Sequence, residues 1–404
     1  MLHSINPVPR HAGPVDSGRP IALNGVALPL SDRLLVVAPD GMVVALDPGG
    51  RRLWEAVRAG CTVDELVEVC VQEADLPEDV ARARIVGALK SWRALGLVNS
   101  VSRKADPAPA APPIAARPAG RIPELDAVYR PGDHPVRVRC DDRVLAAVIE
   151  AACRSCRVEP IENGLATVDV IEQDGCFAVW ADAAVLTRAV DLTPNRALAR
   201  HRCLTALLET AHRPRRWLGI LHASAVAANG RCVVFPGAKG SGKSTLAAAL
   251  VAAGATLVTD DYAPLEQASW LLWPVPYAPG IKRGSWRRLR QHYPDLQARP
   301  VHVLADLQIR YLELDDTRMS PLTSGLPVEA LVFPRYKAGA GLEQQPMTAA
   351  EAMAGLCHAR SLLNREPDML AETIRWVESV PAHRLVYGDL ECAMAWVLSL
   401  LGVE

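Results

Sequence analysis

Near the start of the chain, short apolar runs are followed by patterns with helical periodicity. Residues 34–38 and 42–46 are apolar and β-prone, and the Asp40-Gly41 pair between them predicts a hairpin. Three amphipathic patterns follow before residue 100, each with apolar positions three or four residues apart. A hairpin followed by three short helices predicts a small winged-helix-like module of mixed α and β structure.

The helices of this module carry recognisable start signals. Thr62 and Glu65 have the spacing of a capping box, in which each side chain binds the backbone N–H of the other residue. Pro77 suits the first turn of the third helix, because that turn does not need its N–H group. The apolar residues expected to face the core are Leu66, Val69 and Cys70 of the second helix and Val80, Ile85, Leu89 and Trp92 of the third.

A change of composition divides the chain. Residues 103–121, RKADPAPAAPPIAARPAGR, alternate Pro and Ala with little that could pack, which is typical of an extended, semi-rigid spacer. The sequence therefore predicts four parts. They are the module at 1–102 with its core at 33–100, a linker at 103–124, an α+β lead-in segment at 125–216 and a final domain at 217–404.

The lead-in segment is predicted to mix strands and helices. Apolar runs predict strands at 136–140, 167–171 and 177–180, and helices at 144–153 and from Pro194 to His212. Cys153 and Cys156 have the spacing of a redox or metal pair. Because no second such pair lies at a zinc-like spacing and the position is helical, ordinary burial is the favoured interpretation.

The strongest motif begins at Gly237 and reads GAKGSGKS, a full G-x-x-x-x-G-K-S pattern. An apolar strand at 232–235 precedes it, and a helical run at 245–251 follows it. Glycines let backbone N–H groups converge on phosphate oxygens, and the helix N-terminus adds its positive end. The predicted nucleotide-binding residues are Gly237, Ala238, Lys239, Gly240, Ser241, Gly242, Lys243, Ser244 and Thr245.

This motif predicts ATP and Mg²⁺ as cofactors. Lys243 is expected to reach the β- and γ-phosphates, and Ser244 to place its hydroxyl on the metal. Asp260 and Asp261 follow a buried strand at 255–259, at the end of the strand where α/β sheets place their chemistry. Asp261 can take the proton of an attacking hydroxyl while Asp260 holds the metal. The alternative is that one of the two only caps the following turn.

Four further residues are candidates for the same site. His222 lies on an apolar strand at 219–227 that turns back toward the glycine-rich loop, although such a position is also typical of a core histidine. Lys282 and Arg283 open a basic cluster, and Arg335 ends a strand-like run. These three cations could clamp phosphate or a carboxylate, and the alternatives are a solvated basic face and a surface ion pair.

Residues 33–100 contain LDPGGRRLWEAVRAGCTVDELVEVC and a proline-started helix that ends in LGLV. This pattern resembles the PqqD-like peptide chaperones. The resemblance implies that the module binds the leader segment of a ribosomally made precursor peptide, which adds as a strand to the sheet edge beside the last helix. A regulatory or DNA-binding winged helix is the alternative, but the third helix has a mixed charge pattern and not a basic stripe.

Residues 219–401 contain LHASAVAANGRCVVFPGAKGSGKSTLAAALVAAGATLVTDDYAPLE. This segment resembles the HPr kinase/phosphorylase superfamily and the related kinases of peptide-tailoring gene clusters. The resemblance implies a P-loop α/β kinase core in which His222, Lys243 and Asp261 are catalytic and Ser244 binds the metal. It does not extend to the glycine-rich signature that serves reverse phosphorolysis in true HPr kinases. Relatives of this core commonly form rings of subunits, which leaves a homo-oligomer open.

Composition excludes several other classes of function. A formal net charge of −1 provides no basic field for nucleic acid or an anionic membrane, and the longest uncharged stretch, residues 244–259, is too short to cross a bilayer. Ten cysteines in 404 residues are too few for a disulfide scaffold, and the N-terminus shows no signal-peptide pattern. A reduced, cytoplasmic protein is expected.

The combined hypothesis is an ATP- and Mg²⁺-dependent kinase that phosphorylates a Ser or Thr hydroxyl of a precursor peptide held by its N-terminal module. A small-molecule kinase is one alternative, because such enzymes also place an aspartate on the strand after the phosphate-loop helix. The other alternative is a nucleotide-dependent switch that changes the affinity of the module for its peptide without phosphotransfer.

Overall fold

The structure is a computed structural model that describes residues 22–23, 26–30, 33–37, 43–74, 76–94, 97–99, 120, 122–159, 164–181, 193–304 and 307–403. The predicted Asp40-Gly41 turn and most of the predicted linker lie outside these ranges. The chain is a multidomain α/β protein with several sheets, and it forms two compact units. The first unit takes Thr348–Cys357 and Arg365–Ile374 together with the described residues of 1–109, and the second takes the rest. No helix in the described part is long and apolar enough to span a membrane.

The N-terminal module of the first unit combines a small antiparallel sheet with three helices. Its elements are β1 (Ala22–Leu23), β2 (Val26–Leu30), β3 (Arg33–Val37), β4 (Val43–Leu46), α1 (Pro48–Arg58), α2 (Val63–Ala74), α3 (Glu78–Ala94) and β5 (Val98–Asn99). The strands pair in the order β2-β3-β4, and β1 pairs with β5. Leu34 lies opposite Leu46 across β3 and β4, so both strands predicted from the apolar runs are confirmed.

The capping box predicted before α2 is also confirmed. The Thr62 N–H donates to Glu65 Oε2 at 2.7 Å, and the Glu65 N–H donates to Thr62 Oγ1 at 3.3 Å. Asp47 caps α1 by accepting from the Gly50 N–H at 2.7 Å. Both helices therefore begin where a side chain satisfies a backbone N–H that has no partner within the helix.

Two apolar residues of these helices do not face the core. Val69 is 46% exposed and Val80 is 37% exposed, so the prediction that they are buried is wrong. Adjacent residues lie about 100° apart around a helix, and Val80 precedes the buried Ala81 by one position. The buried residues of α3 are Ala81, Ile85, Leu89 and Trp92.

The second unit begins with a five-stranded sheet and two helices. Its elements are β6 (Leu125–Tyr129), β7 (Val136–Cys140), α4 (Arg143–Cys153), a 3₁₀ turn (Arg154–Cys156), β8 (Arg157–Val158), β9 (Ala166–Gln173), β10 (Cys176–Ala181) and α5 (Arg196–Ala211). The order is β10-β9-β7-β6-β8, and β6 and β8 were not predicted. Ile220, Tyr262 and Tyr311 belong to the same core as these elements, so the lead-in segment and the residues after it share one hydrophobic core.

Cys153 and Cys156 are both buried at the end of α4. The Cys156 thiol donates to the Cys153 carbonyl at 3.1 Å. Burial raises the pKa of the Cys153 thiol well above its ordinary value, which keeps the thiol protonated and unreactive. Among the described side chains, no group of three or more His, Cys, Asp or Glu is placed to hold a metal ion. The predicted ordinary burial of this pair is therefore confirmed.

The rest of the second unit, together with the helices α8 and α9, follows from residue 217. The elements are β11 (Trp217–Leu221), β12 (Ala223–Ala228), β13 (Arg231–Pro236), α6 (Lys243–Ala252), β14 (Thr256–Thr259), β15 (Ala263–Glu266), β16 (Gly280–Lys282), α7 (Arg283–Trp286), β17 (His302–Leu304), β18 (Leu307–Tyr311), β19 (Val328–Tyr336), β20 (Glu343–Met347), α8 (Ala349–His358), β21 (Leu362–Leu363), α9 (Pro367–Ser379), β22 (Ala382–Tyr387) and α10 (Leu390–Leu400), with 3₁₀ helices at Pro294–Gln297 and Asp316–Arg318.

A six-stranded sheet in the order β14-β12-β13-β19-β22-β20 carries the glycine-rich loop. β13, β19 and β22 are parallel, whereas β12 is antiparallel to both β13 and β14. β14 consequently runs in the same direction as β13. The loop after β13 and the two aspartates after β14 therefore lie at the same edge of the sheet.

The single strand predicted through His222 is two strands. β11 pairs with β15 and β21, whereas β12 pairs with β13 and β14. The His222 N–H donates to Ser361 Oγ at 3.2 Å and not to a neighbouring strand, which ends the ladder. The chain thus passes from one sheet to another at His222, and the prediction of a continuous strand is wrong.

Trp54 makes the stability of the N-terminal module testable. Its side chain is 2% exposed and packs edge-to-face on Trp92, with ring centroids 5.5 Å apart. Because Trp54→Ala leaves a cavity in this core, it should lower the free energy of unfolding by about 3–5 kcal/mol. Val69→Ala at the exposed position should change it by less than about 0.5 kcal/mol. Urea unfolding followed by circular dichroism measures both, and equal losses would contradict the packing described here.

Candidate functional site

The glycine-rich loop joins β13 to α6. Gly240 and Gly242 have φ values of 91° and 103°, in the left-handed region where residues other than glycine are strained. A Cβ at Gly242 would also lie 2.6 Å from the Tyr387 hydroxyl oxygen. Gly242 is the N-cap residue of α6, and no side chain caps the helix there. The first N–H groups of α6 are therefore left for another acceptor, and the positive end of the helix favours an anion.

Lys243 is buried at the start of this helix. Its side chain is 3% exposed, and its Nζ lies 2.7 Å from Asp261 Oδ1. Burial alone would lower the pKa of the ammonium group, but the carboxylates of Asp261 and Asp260 outweigh that effect and raise it. Burial would likewise raise the pKa of the Asp261 carboxyl, yet Lys243 and His222 hold it well below its usual range. Both groups are therefore charged at neutral pH.

Asp260 is fully buried beside this pair. Its Oδ1 accepts from the Ser224 hydroxyl at 2.5 Å, and its Oδ2 accepts from the Gly280 N–H at 3.2 Å. Burial and the neighbouring charge of Asp261 raise the pKa of the Asp260 carboxyl, although Lys243 and the Ser244 hydroxyl oppose the rise. Asp261 itself has a φ of 67°, a strained value for a residue other than glycine. Such a conformation persists only where the surrounding contacts hold it in place.

His222 approaches Asp261 from the break between β11 and β12. Its Nδ1 lies 2.7 Å from the Ala359 carbonyl, and its Nε2 lies 3.3 Å from Asp261 Oδ1. Because a carbonyl oxygen can only accept, Nδ1 carries the proton of this hydrogen bond. The other nitrogen, Nε2, is left facing the carboxylate. The structure thus places His222, Lys243 and Asp261 together, as the sequence predicted.

A cavity of about 490 Å³ opens in front of the loop. Its lining includes Gly240 and Gly242 of the loop, Lys243 and Ser244 of α6, and Lys282, Arg288 and Tyr336. The Arg288 guanidinium stacks on the Tyr336 ring 4.3 Å from its centroid and donates to the Tyr336 hydroxyl at 2.8 Å. Burial lowers the pKa of Lys282, with Lys243 adding to that effect and Asp261 opposing it. The cavity lining therefore has three basic side chains, Lys243, Lys282 and Arg288, against two acidic ones, Asp389 and Glu391, which favours an anionic ligand.

The predicted clamp residues separate into two groups. Lys282 lines the cavity, but Arg283 is exposed and its Nη1 lies 3.4 Å from Gln308 Oε1. Arg335 is exposed at the end of β19 and does not line the cavity, whereas the next residue, Tyr336, does. Alternating residues of a strand face opposite sides, which explains the difference. In the loop, Lys239 is exposed.

Three residues near the site were not predicted from the sequence. Ser224 holds Asp260, Arg288 covers Tyr336, and Arg200 of α5 lies 3.8 Å from Asp261 Oδ2. No motif or residue spacing around any of the three indicates a role in the site. Arg288 lies in the basic cluster that Lys282 and Arg283 open, and the lead-in segment that contains Arg200 has no chemical motif.

Comparison with known proteins identifies the N-terminal module. The family model described as Coenzyme PQQ synthesis protein D (PqqD) matches residues 33–98. The comparison with curated proteins found no match to the chain. The match confirms the resemblance of this module to the PqqD-like chaperones, and it indicates a role for the chain in peptide-modification biosynthesis.

Proposed function

We propose that this chain is an ATP- and Mg²⁺-dependent kinase that phosphorylates a Ser or Thr hydroxyl of a precursor peptide, whose leader segment is held by residues 33–98. The observation that carries the proposal is the buried contact of Lys243 with Asp261, 2.7 Å long, beside a cationic cavity of about 490 Å³. A cavity of that volume is typical of small-ligand sites. The proposal extends the PqqD match with chemistry from the second unit.

Phosphate binding is supported by the geometry of the loop. The positive φ angles of Gly240 and Gly242 and the uncapped N-terminus of α6 leave backbone N–H groups for an anion. Lys243 adds a charge that is held in place by Asp261. In this proposal the loop binds the phosphates of ATP, and Lys243 stabilises the negative charge of the phosphoryl group during transfer.

Ser244 at the start of α6 and Asp260 directly after β14 also fit a magnesium ion. Ser244 and Asp260 offer a hydroxyl and a carboxylate, which are the hard oxygen donors that Mg²⁺ prefers. Mg²⁺ commonly takes only one or two protein ligands beside phosphate, so this small donor set suits it. A bound Mg²⁺ would neutralise charge on the phosphates.

Asp261 is the proposed acceptor of the hydroxyl proton. Its Oδ1 contacts Lys243 and His222, whereas Oδ2 lies 3.8 Å from Arg200 Nη2, beyond hydrogen-bond distance, so Oδ2 can accept from a Ser or Thr hydroxyl. His222 is held through Nδ1 by the Ala359 carbonyl, and it orients Asp261 in this proposal. The base and the phosphate-binding lysine are 2.7 Å apart, so in this proposal the acceptor hydroxyl and the transferred phosphoryl group are held close together.

The N-terminal module would supply affinity for the peptide separately from the chemistry. A strand added to a small antiparallel sheet gains backbone hydrogen bonds, and exposed apolar side chains such as Val80 of α3 can bind its side chains. Tethering then raises the local concentration of the acceptor hydroxyl, on the order of millimolar for short flexible links.

Replacement of Lys243 tests the phosphate-binding role. Lys243→Met should weaken MgATP binding by about 10- to 100-fold, because a charge-assisted interaction worth roughly 1.5–3 kcal/mol is lost. Lys90→Met, which changes an exposed lysine of α3 outside the loop, is the control and should bind MgATP nearly as the unaltered chain does. Isothermal titration calorimetry with MgATP measures both affinities. Equal affinity of the two variants would argue against the loop as a nucleotide site.

Replacement of Asp261 tests the chemistry. Asp261→Asn should keep MgATP binding and lower kcat by about 10²- to 10⁴-fold, because the general base is lost while the loop is unchanged. The readout is the intact mass of the short peptide encoded in the neighbouring gene cluster, which gains one phosphoryl group in the unaltered reaction. Asp316→Asn at an exposed position is the control. Phosphotransfer by Asp261→Asn at the unaltered rate would refute the assignment.

Replacement of Val80 separates a peptide kinase from a small-molecule kinase. Val80→Asp places a charge on the exposed apolar surface of α3 and should raise KM for the peptide by about tenfold, or ~1.4 kcal/mol, with MgATP affinity unchanged. Val144→Asp makes the same change at an exposed position of α4. A peptide-independent turnover that neither substitution affects would favour the small-molecule kinase.

A further inference from the structure

A buried arginine reaches the site from the lead-in segment. Arg200 lies on α5, and its side chain is 13% exposed. Its Nη2 lies 3.8 Å from Asp261 Oδ2, and its Nη1 donates to the Tyr311 hydroxyl at 3.2 Å. Removing a guanidinium from water is costly unless carboxylates or hydroxyls replace the lost hydration. The buried end of Arg200 is therefore held by the groups around Asp261.

Two further contacts fasten α5 to the turn that contains Asp261. His201 Nδ1 lies 3.1 Å from the Tyr262 hydroxyl, and the two rings stack with centroids 5.3 Å apart. The Tyr277 hydroxyl donates to the Leu204 carbonyl at 2.9 Å, and its ring packs edge-to-face on Tyr262. Tyr262, the residue after Asp261, is thus held against α5 by ring stacking and hydrogen bonds.

The two oxygens of Asp261 face different cations. Oδ1 is 2.7 Å from Lys243 Nζ and 3.3 Å from His222 Nε2, whereas Oδ2 is directed to Arg200. Rotation of the carboxylate would move both oxygens away from their partners. Because the backbone of Asp261 is itself in a costly conformation, with a φ of 67°, its orientation depends on these surrounding contacts.

We propose that Arg200 is a positioning residue that fixes the Asp261 carboxylate so that Oδ2 is presented to the acceptor hydroxyl. This inference rests on the proposed phosphotransfer. The lead-in segment then contributes to catalysis through Asp261, and none of its described residues lines the cavity in front of the loop. Misplacement of a reacting group by about 1 Å can reduce the rate of the chemical step by about 10²-fold.

The test compares three variants of the full chain. Arg200→Met should lower kcat for peptide phosphorylation by about 10²-fold while the KM for MgATP stays unchanged. Arg200→Lys keeps a cation at this place and should recover part of the rate. Arg196→Met is the control, because Arg196 lies on the same helix and pairs with Asp142 at 2.7 Å. It should keep the full kcat.

Amide hydrogen exchange at residues 259–262 provides a readout that does not depend on activity. Arg200→Met should accelerate exchange there, and Arg196→Met should not. Unchanged exchange and unchanged kcat in Arg200→Met would overturn the inference, as would an equal loss of kcat in Arg196→Met or no recovery in Arg200→Lys. If the unaltered chain transfers no phosphate, the proposed function fails. The exchange comparison then still decides whether Arg200 orders the turn.

Discussion

The contact between Lys243 and Asp261 is the constraint around which the second unit is arranged. An ammonium group with 3% exposure can remain charged only beside a carboxylate, here 2.7 Å away. Removing one partner of a buried pair typically costs about 3–5 kcal/mol, since the other charge is left without compensation. The pair joins the start of α6 to the end of β14. Three features bring these two side chains together. They are the common direction of β13 and β14, the turn after Thr259 and the break between strands at His222.

The charges around this pair do not cancel. Within the described part of the chain, Asp260 and Asp261 face the cations Lys243, Lys282 and Arg200. An excess of positive charge next to uncapped backbone N–H groups is unfavourable in isolation and favourable once an anion binds. The polyanionic ligand and the protein would therefore stabilise each other.

The sequence predicted the local parts of this site and not the distant ones. The glycine-rich loop and the pair Asp260-Asp261 are visible because each follows its strand directly in the chain. Arg200 and Ser224 are brought in by tertiary packing, and no spacing in the sequence indicates it. His222 was correctly predicted to lie at the site, but the prediction of a continuous strand through it was wrong, because its backbone N–H donates to Ser361 Oγ and not to a neighbouring strand. In the N-terminal module, periodicity identified the helices, yet Val80 was placed on the wrong side because the true apolar stripe begins one residue later.

Two separate obstacles keep a side chain out of position 242, and Tyr387 accounts for only one of them. A side chain at position 242 meets two obstacles, the Tyr387 hydroxyl at 2.6 Å and the left-handed backbone with a φ of 103°. Shortening Tyr387 would remove only the first of them. Related sequences should therefore be free to exchange the tyrosine for phenylalanine while the glycine persists. Position 387 can therefore accept a substitution, whereas position 242, its neighbour in space, cannot.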